Sequence, residues 1–361
     1  MRYRDEHPVD FDSQADDGQA ITLIRTVYRT SDEQRAPGAF ERGLMRTWRG
    51  VKIAAVGTAL VVAAGAYPAF MINAHQLDDS LPVIESGSTA WHSPAAGMMS
   101  LALARETDGS GWINDHAGWR PEARLTALPA WQAGLSESLG EVARVRAEKA
   151  EYEGAPDRDL MMASRLLAVR EDGRMGARLT AAIEALARYD GRLAQGLALR
   201  PAGAEVALAE LDLLDSWSVT GRDALRTAIG DPDGLLGSSD AVAALYNMRG
   251  QAQAASIVLA GLAADDPALM TRGDVATALE KSLAAWREVA EMSPLFVGNA
   301  KPGAVFPGND LMSMAFLVDE ARSSTLALRV AIETAAPVEA PKEPETRLLA
   351  EFPSAKPQHV P

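Results

Sequence analysis

Cysteine is absent from this 361-residue chain, and basic and aromatic residues are scarce. Without cysteine, neither a disulfide framework nor a thiolate metal site can form. Lysine and arginine together number 35 against 49 aspartates and glutamates, which gives a net charge of −14. Because nucleic-acid binding depends on basic residues that neutralise phosphates, we expect no nucleic-acid partner.

Recognisable catalytic and cofactor motifs are missing as well. The chain has no phosphate-binding GxxxxGK[ST] sequence, no GxSxG and no SxxK. Its histidines are His7, His75, His92, His116 and His359, and no two of them have the spacing that places metal ligands on one helical face. We therefore expect no cofactor, no metal site and no catalytic residue.

The composition that remains is typical of a helical protein. Hydrophobic residues make up 47% of the chain and aromatic residues only 6%. Alanine, leucine, arginine and glutamate recur throughout, and runs of β-branched residues are rare. Because the recurring residues favour helix over strand, we predict an all-α protein.

The longest apolar run, Ile53 to Ile72, contains no charged residue. As a helix it would be about 30 Å long, the thickness of the hydrocarbon core of a bilayer. A buried helix of a soluble protein and a cleaved signal with a site at Ala64–Ala66 are the alternatives. Since 52 residues precede the run, whereas a signal peptide begins with a short charged region, the sequence predicts an uncleaved transmembrane helix.

The charges beside this run predict its orientation. Arg42, Arg46, Arg49 and Lys52 precede it, and Asp78 is the first charge after it. Basic flanks remain in the cytoplasm, so we predict a cytoplasmic N-terminus. In a Gram-negative bacterium the protein would then lie in the inner membrane, with the C-terminal domain, from about Asn73 onward, in the periplasm. The bilayer is the expected partner of residues 53–72. Small residues within the run would also allow two such helices to pack closely, so a homo-oligomer is a possible partner arrangement.

The composition divides the chain into successive segments. We predict a flexible cytoplasmic arm (1–40), a basic juxtamembrane segment (41–52), the transmembrane helix (53–72), a linker (73–90), a helical periplasmic domain (91–334) and a proline-rich disordered tail (335–361).

Helical periodicity recurs along residues 91–334. Apolar residues share a helical face over 131–145, 179–197, 211–217 (a shorter helix), 242–263, 275–290 and 311–332. The run Ser238–Asp240 supplies the expected N-cap oxygens of the fourth of these helices, and Asn309 is the expected N-cap of the sixth. The pattern predicts a bundle of about six or more helices, either as one domain or as two sub-bundles divided near residues 230–234.

Two polar, glycine-rich loops join apolar helices and are candidate binding segments. The first, residues 109–120, carries Trp112 and Asn114, and the second, residues 292–309, carries Asn299 and Asn309. Their side chains either bind a ligand or satisfy the carbonyls of buried loops.

Residues Arg249, Gly250 and Gln251 interrupt an otherwise apolar helix. A glycine inside a helix costs about 1 kcal/mol relative to alanine, so we predict that the backbone of another element approaches closely at Gly250. Arg249 and Gln251 could hydrogen-bond into the loop around Asn299, as ligand-binding groups or as supports of the bundle. The candidate binding residues are therefore Trp112, Asn114, Arg249, Gln251, Asn299 and Asn309.

Three stretches in this order resemble a known family. They are GSGWINDHAGWRPEARLTALPAWQAGLSESLGEVARVR, LYNMRGQAQAASIVLAGLAAD and SPLFVGNAKPGAVFPGNDLMSMAFLVDEAR. They are similar to the bacterial inner-membrane family catalogued as domain of unknown function 2333, over residues 53–332. Members commonly carry an aromatic residue where Gln253 stands and a histidine where Asp310 stands. The resemblance implies a single-pass membrane protein with a helical periplasmic domain, and it implies no catalytic residue.

These observations predict a membrane-anchored envelope protein whose helical domain binds another protein or supports an assembly. The alternative is an enzyme that acts on cell-wall or lipid material through a pocket near Asn114, Arg249 and Asn299. Such an enzyme requires a deep cleft with converging carboxylates of perturbed pKa. A sensor that signals to the cytoplasmic arm is a further alternative, although the arm has no recognisable output domain.

Overall fold

A computed structural model describes residues 51–52, 54–58, 80–82 and 91–335, with gaps at 109–110, 119–124, 152–153, 170–172, 231–237, 295–296 and 300–307. Residues 51–52 and 54–58 are helical and belong to one unit, Met1–Pro68. The helices that follow belong to a second unit, Ala69–Pro361. Within the described ranges the regular structure is all helical, which confirms the predicted fold class.

The second unit contains nine α-helices and one short 3-10 helix among its described residues. They are α1 (Pro94–Asp108), the 3-10 helix (Ile113–Asp115), α2 (Ala127–Lys149), α3 (Arg158–Leu167), α4 (Met175–Ala194), α5 (Ala204–Gly230), α6 (Ser239–Asp265), α7 (Pro267–Met270), α8 (Val275–Glu291) and α9 (Asp310–Thr334).

Helix α6 lies at the centre of the packing. It contacts α2 along one side and α8, α5 and α1 along others. Helix α9 packs against α5 and α8, while α3 lies against α2 and α4. A single cluster of buried apolar side chains extends from Ala96 in α1 to Ile332 in α9. Because α6 is apolar almost all round, its sequence fits this central position.

Glycines allow α2 and α6 to cross at very short range. A Cβ atom on Gly250 of α6 would lie 2.2 Å from the carbonyl oxygen of Trp131 in α2. From the other side, a Cβ on Gly134 would lie 2.3 Å from the carbonyl oxygen of Asn247. The predicted close backbone approach at Gly250 is therefore confirmed, and the crossing has no room for a larger residue at either position.

Side-chain caps fix the starts of several helices. The hydroxyl of Ser238 accepts a hydrogen bond from the Ala241 amide, and the side-chain oxygen of Asn309 accepts one from the Met312 amide. The predicted N-cap at Asn309 is confirmed, and within the run predicted to cap the fourth helix, Ser238 is the N-cap. Asp157 caps α3 in the same way, at the amides of Asp159 and Leu160.

The predicted periodic segments lie in helices except for the end of 179–197. There α4 ends at Ala194, because Gly196 adopts a positive φ of 71°, and Leu197 is exposed rather than on the buried face. One predicted length is also wrong. The segment at 211–217, predicted to be a shorter helix, belongs to the 27-residue α5. The apolar period is hard to see after Trp217 because the buried face of α5 continues through the small residues Ser218, Gly221 and Ala228, with Leu225 as its one large apolar residue. Helices α1 and α3 were not among the predicted elements.

No helix within the described residues is both long and apolar enough to cross a bilayer. The predicted transmembrane segment, 53–72, lies outside those residues except for 54–58. The predicted arm (1–40), most of the juxtamembrane segment and of the linker, and the tail beyond Ala335 also lie outside them.

Candidate functional site

The first predicted binding loop is attached to the bundle by hydrogen bonds. Trp112 is buried in the core, with 3% of its surface exposed, whereas Asn114 is exposed. Next to Asn114, the carboxylate of Asp115 accepts hydrogen bonds from the amides of Met175 and Gly176, at 3.0 and 2.7 Å. These amides are the unpaired donors at the start of α4, so Asp115 joins the loop to that helix.

Arg249 holds α6 against the end of α8. Its side chain is buried, its Nε donates to the carbonyl oxygen of Ala290 at 2.8 Å, and its guanidinium lies 5.1 Å from the ring centre of Tyr246. The buried Oε1 atom of Gln251 accepts no hydrogen bond from any described residue. Arg249 thus satisfies a buried carbonyl, which is the supporting role that the sequence left open.

The structure brings Asn299 and Asn309 together. They face each other as an isolated antiparallel bridge, and the side-chain Nδ2 of Asn299 donates to the carbonyls of Ala228 and Ile229 at the end of α5. The candidate residues are associated with different helices: Asn114 precedes Asp115, which binds the start of α4, while Arg249 contacts α8 and Asn299 contacts α5.

A buried ionic cluster that the sequence did not indicate lies between α2, α5 and α6. The Nε of Arg146 lies 2.6 Å from a carboxylate oxygen of Glu210, and its Nη1 lies 2.7 Å from one of Asp265. All three side chains are at most 3% exposed. Burial by itself lowers the pKa of Arg146, but the charges and hydrogen bonds of the two carboxylates outweigh it and raise the pKa above its usual value, so the guanidinium stays protonated.

The two acids of this cluster are not equally stabilised. Asp265 also accepts hydrogen bonds from the hydroxyl of Ser93 and from the amide of Ala95, at the positive N-terminus of α1. For Glu210, burial raises the pKa, Arg146 opposes this, and the charge of Asp265 adds to it. Burial outweighs the attraction of Arg146, so Glu210 holds its proton to higher pH in the folded chain than in the unfolded chain.

Replacing Glu210 by glutamine is expected to stabilise the protein increasingly as the pH rises. The unfolded chain loses the Glu210 proton near pH 4.5, whereas the folded chain keeps it to higher pH. Between these two pKa values, ionisation of Glu210 favours the unfolded state, so the free energy of unfolding of the wild type falls as the pH rises. The glutamine variant cannot ionise here and does not lose this stability. Guanidinium unfolding of Glu210→Gln and wild type from about pH 4 to about pH 8 measures the difference.

Glu205→Gln is the control, because hydrogen bonding to Lys149 lowers the pKa of Glu205. Its stability relative to wild type is expected to change in the opposite direction with pH. A difference between Glu210→Gln and wild type that stays constant over this range would contradict the assignment of the buried proton.

The surface of α9 offers a different kind of site. An open cavity of about 460 Å³ lies between the end of α8 and the first turns of α9, lined by Met292, Met312, Ser313, Phe316 and Leu317. Phe316 is 68% exposed and Met312 is 49% exposed. Among the described residues, the lining of this cavity is apolar except for the Ser313 hydroxyl, and it includes none of the converging carboxylates that the enzyme alternative requires.

Residues of the Arg146 cluster and of the α9 surface were not among the sequence candidates. Arg146 and Asp265 are 119 positions apart, so no local motif joins them. Phe316 falls between apolar positions of the predicted helix 311–332, and only its exposure distinguishes it from them. Within the described residues, no cluster of three or more histidines and acids could hold a metal ion.

Comparison with known proteins gives no assignment for this site: no family model, curated protein or solved structure matches the chain.

Proposed function

We propose that this chain is a membrane-anchored envelope protein whose helical domain binds protein through the exposed face of α9. The observation that carries the proposal is the apolar surface around the cavity, where Phe316 and Met312 project into solvent. The surfaces of soluble proteins rarely carry a large patch of neighbouring apolar side chains unless another molecule binds there. An exposed aromatic residue beside an apolar cavity is also the usual composition of the centre of a protein interface.

Anchoring and location are proposed from the sequence. The uncharged run at 53–72 is long enough to span a bilayer, and the basic residues before it favour a cytoplasmic N-terminus. The resemblance to the inner-membrane family supports the same arrangement. The helical domain would then lie in the periplasm of a bacterium, where the face of α9 is accessible to other envelope proteins.

Photo-crosslinking in bacterial cells that express the full-length chain tests both parts of the proposal. A benzophenone amino acid replaces Phe316 in one variant and Met162 in the control, because Met162 is 48% exposed on α3. We expect the chain to remain in membranes after an alkaline carbonate wash. Position 316 is expected to give discrete protein adducts that position 162 does not give.

Adding Leu326→Asp, which changes another exposed residue of α9, is expected to reduce the adducts at position 316 by about tenfold, as a 1.4 kcal/mol loss of binding would. Adducts of equal intensity at both positions would contradict a specific surface on α9. Release of the chain by the carbonate wash would contradict the anchor.

A further inference from the structure

Helix α9 carries two heptad patterns on opposite sides. The inward pattern consists of Leu311, Met314, Val318, Ala321, Thr325, Leu328 and Ile332, and all of these residues are buried. The outward pattern, which we call the outward seam, consists of Met312, Phe316, Asp319, Ser323, Leu326 and Val330, and all of these are exposed. Both patterns have the alternating three- and four-residue spacing of helices that pack along their length.

The outward seam is apolar enough to pack on a helix. Phe316 is 68% exposed, Val330 57%, Met312 49% and Leu326 39%. These residues stand at the two ends of the seam, and the polar Asp319 and Ser323 stand between them. The order of polarity along the seam is therefore the same when it is read in either direction.

Because of this symmetry, the outward seam matches the same seam of a second copy when the two helices run antiparallel. In antiparallel packing centred on Ala321, Met312 lies against Val330 of the partner subunit and Phe316 against Leu326 of the partner subunit. Asp319 then lies against Ser323 of the partner subunit, whose hydroxyl can donate to the carboxylate. A parallel copy would instead place two Asp319 carboxylates side by side, which like-charge repulsion disfavours.

The charges beside the seam are already compensated within the chain. Arg222 of α5 lies 2.9 Å from the Asp319 carboxylate, so a covered Asp319 would retain a cation. Arg322 and Arg329 pair with Asp215 and Asp212 of α5. The seam can therefore approach its copy without leaving an unpaired arginine or Asp319 at the contact.

We propose that the outward seam of α9 binds the outward seam of a second copy of this chain, antiparallel and about a two-fold axis near Ala321. The seam is about 27 Å long, and the cavity beside Phe316 has room for the apolar side chain that the second copy presents there. This inference rests on the proposed function, because anchoring in one membrane raises the local concentration of the copies.

Because the chain has no cysteine, introduced cysteines report the arrangement directly. Full-length Met312→Cys, Val330→Cys and the double variant are oxidised in membranes, with Met162→Cys as a control on α3. Only the double variant is expected to form a disulfide-linked dimer, because antiparallel packing joins position 312 to position 330 of the other copy. In the parallel arrangement each single variant would crosslink to itself, since a disulfide requires Cβ atoms about 4 Å apart.

Dimers from the double variant alone support the proposal. Dimers from either single variant overturn the antiparallel arrangement, and dimers from none of the α9 variants overturn the second copy as partner. Phe316→Asp added to the double variant is expected to reduce the dimer at least about tenfold. If the cysteines give no dimer while position 316 still gives photo-adducts with other proteins, the proposed function stands and this inference fails.

Discussion

Gly250→Ala is expected to destabilise the helical domain by about 3 kcal/mol or more, at the upper end of the cost of overpacking a core. The new Cβ would lie 2.2 Å from the Trp131 carbonyl oxygen and 2.8 Å from the Leu135 nitrogen. Both are backbone atoms inside α2, so no side-chain rotation relieves the overlap. The two helices must separate, and the buried side chains on either side of the crossing lose contact.

Guanidinium unfolding of the full-length chain in detergent, followed by circular dichroism, measures this loss. Gly191→Ala in α4 is the matched control, because a Cβ there meets no atom within 4 Å. It is expected to stabilise the protein by about 0.5–1 kcal/mol, the usual advantage of alanine over glycine in a helix. Equal stabilities for Gly250→Ala and Gly191→Ala would show that the close approach of α2 and α6 does not depend on a glycine at position 250.

The crossing of α2 and α6 was predicted only in part from the sequence. A glycine inside an apolar helix has an energetic cost, and that cost predicted that the backbone of another element lies close to Gly250. The sequence could not show that this neighbour is α2, or that Gly134 makes the same approach from the other side. Such pairings depend on where two distant helices meet in the fold.

The same limit applies to the candidate sites. Local patterns predicted the caps within Ser238–Asp240 and at Asn309, because an N-cap acts within one turn of its helix. The period of the predicted helix 311–332 begins and ends on the inward pattern of α9, whose residues are buried. It did not indicate that the apolar residues of the outward seam stay exposed, because the uncovered side of the helix depends on where α5 and α8 lie.

The largest electrostatic effect is expected for Arg146→Met, at about 3–5 kcal/mol of stability. Methionine fills similar space but removes the only cation in contact with both Glu210 and Asp265 among the described residues. One acid must then be buried with its charge unpaired, or take up a proton at neutral pH. Either outcome raises the free energy of the folded chain but not that of the unfolded chain, in which both acids are hydrated and ionised.

The double variant Arg146→Met with Glu210→Met separates charge from packing. With Glu210 removed, the remaining acid is Asp265, which keeps its hydrogen bonds from Ser93 and Ala95. We therefore expect the double variant to recover part of the stability lost in Arg146→Met, measured by guanidinium unfolding at neutral pH. If the two substitutions are simply additive, Arg146 and Glu210 do not interact, which would contradict the coupling of these two charges.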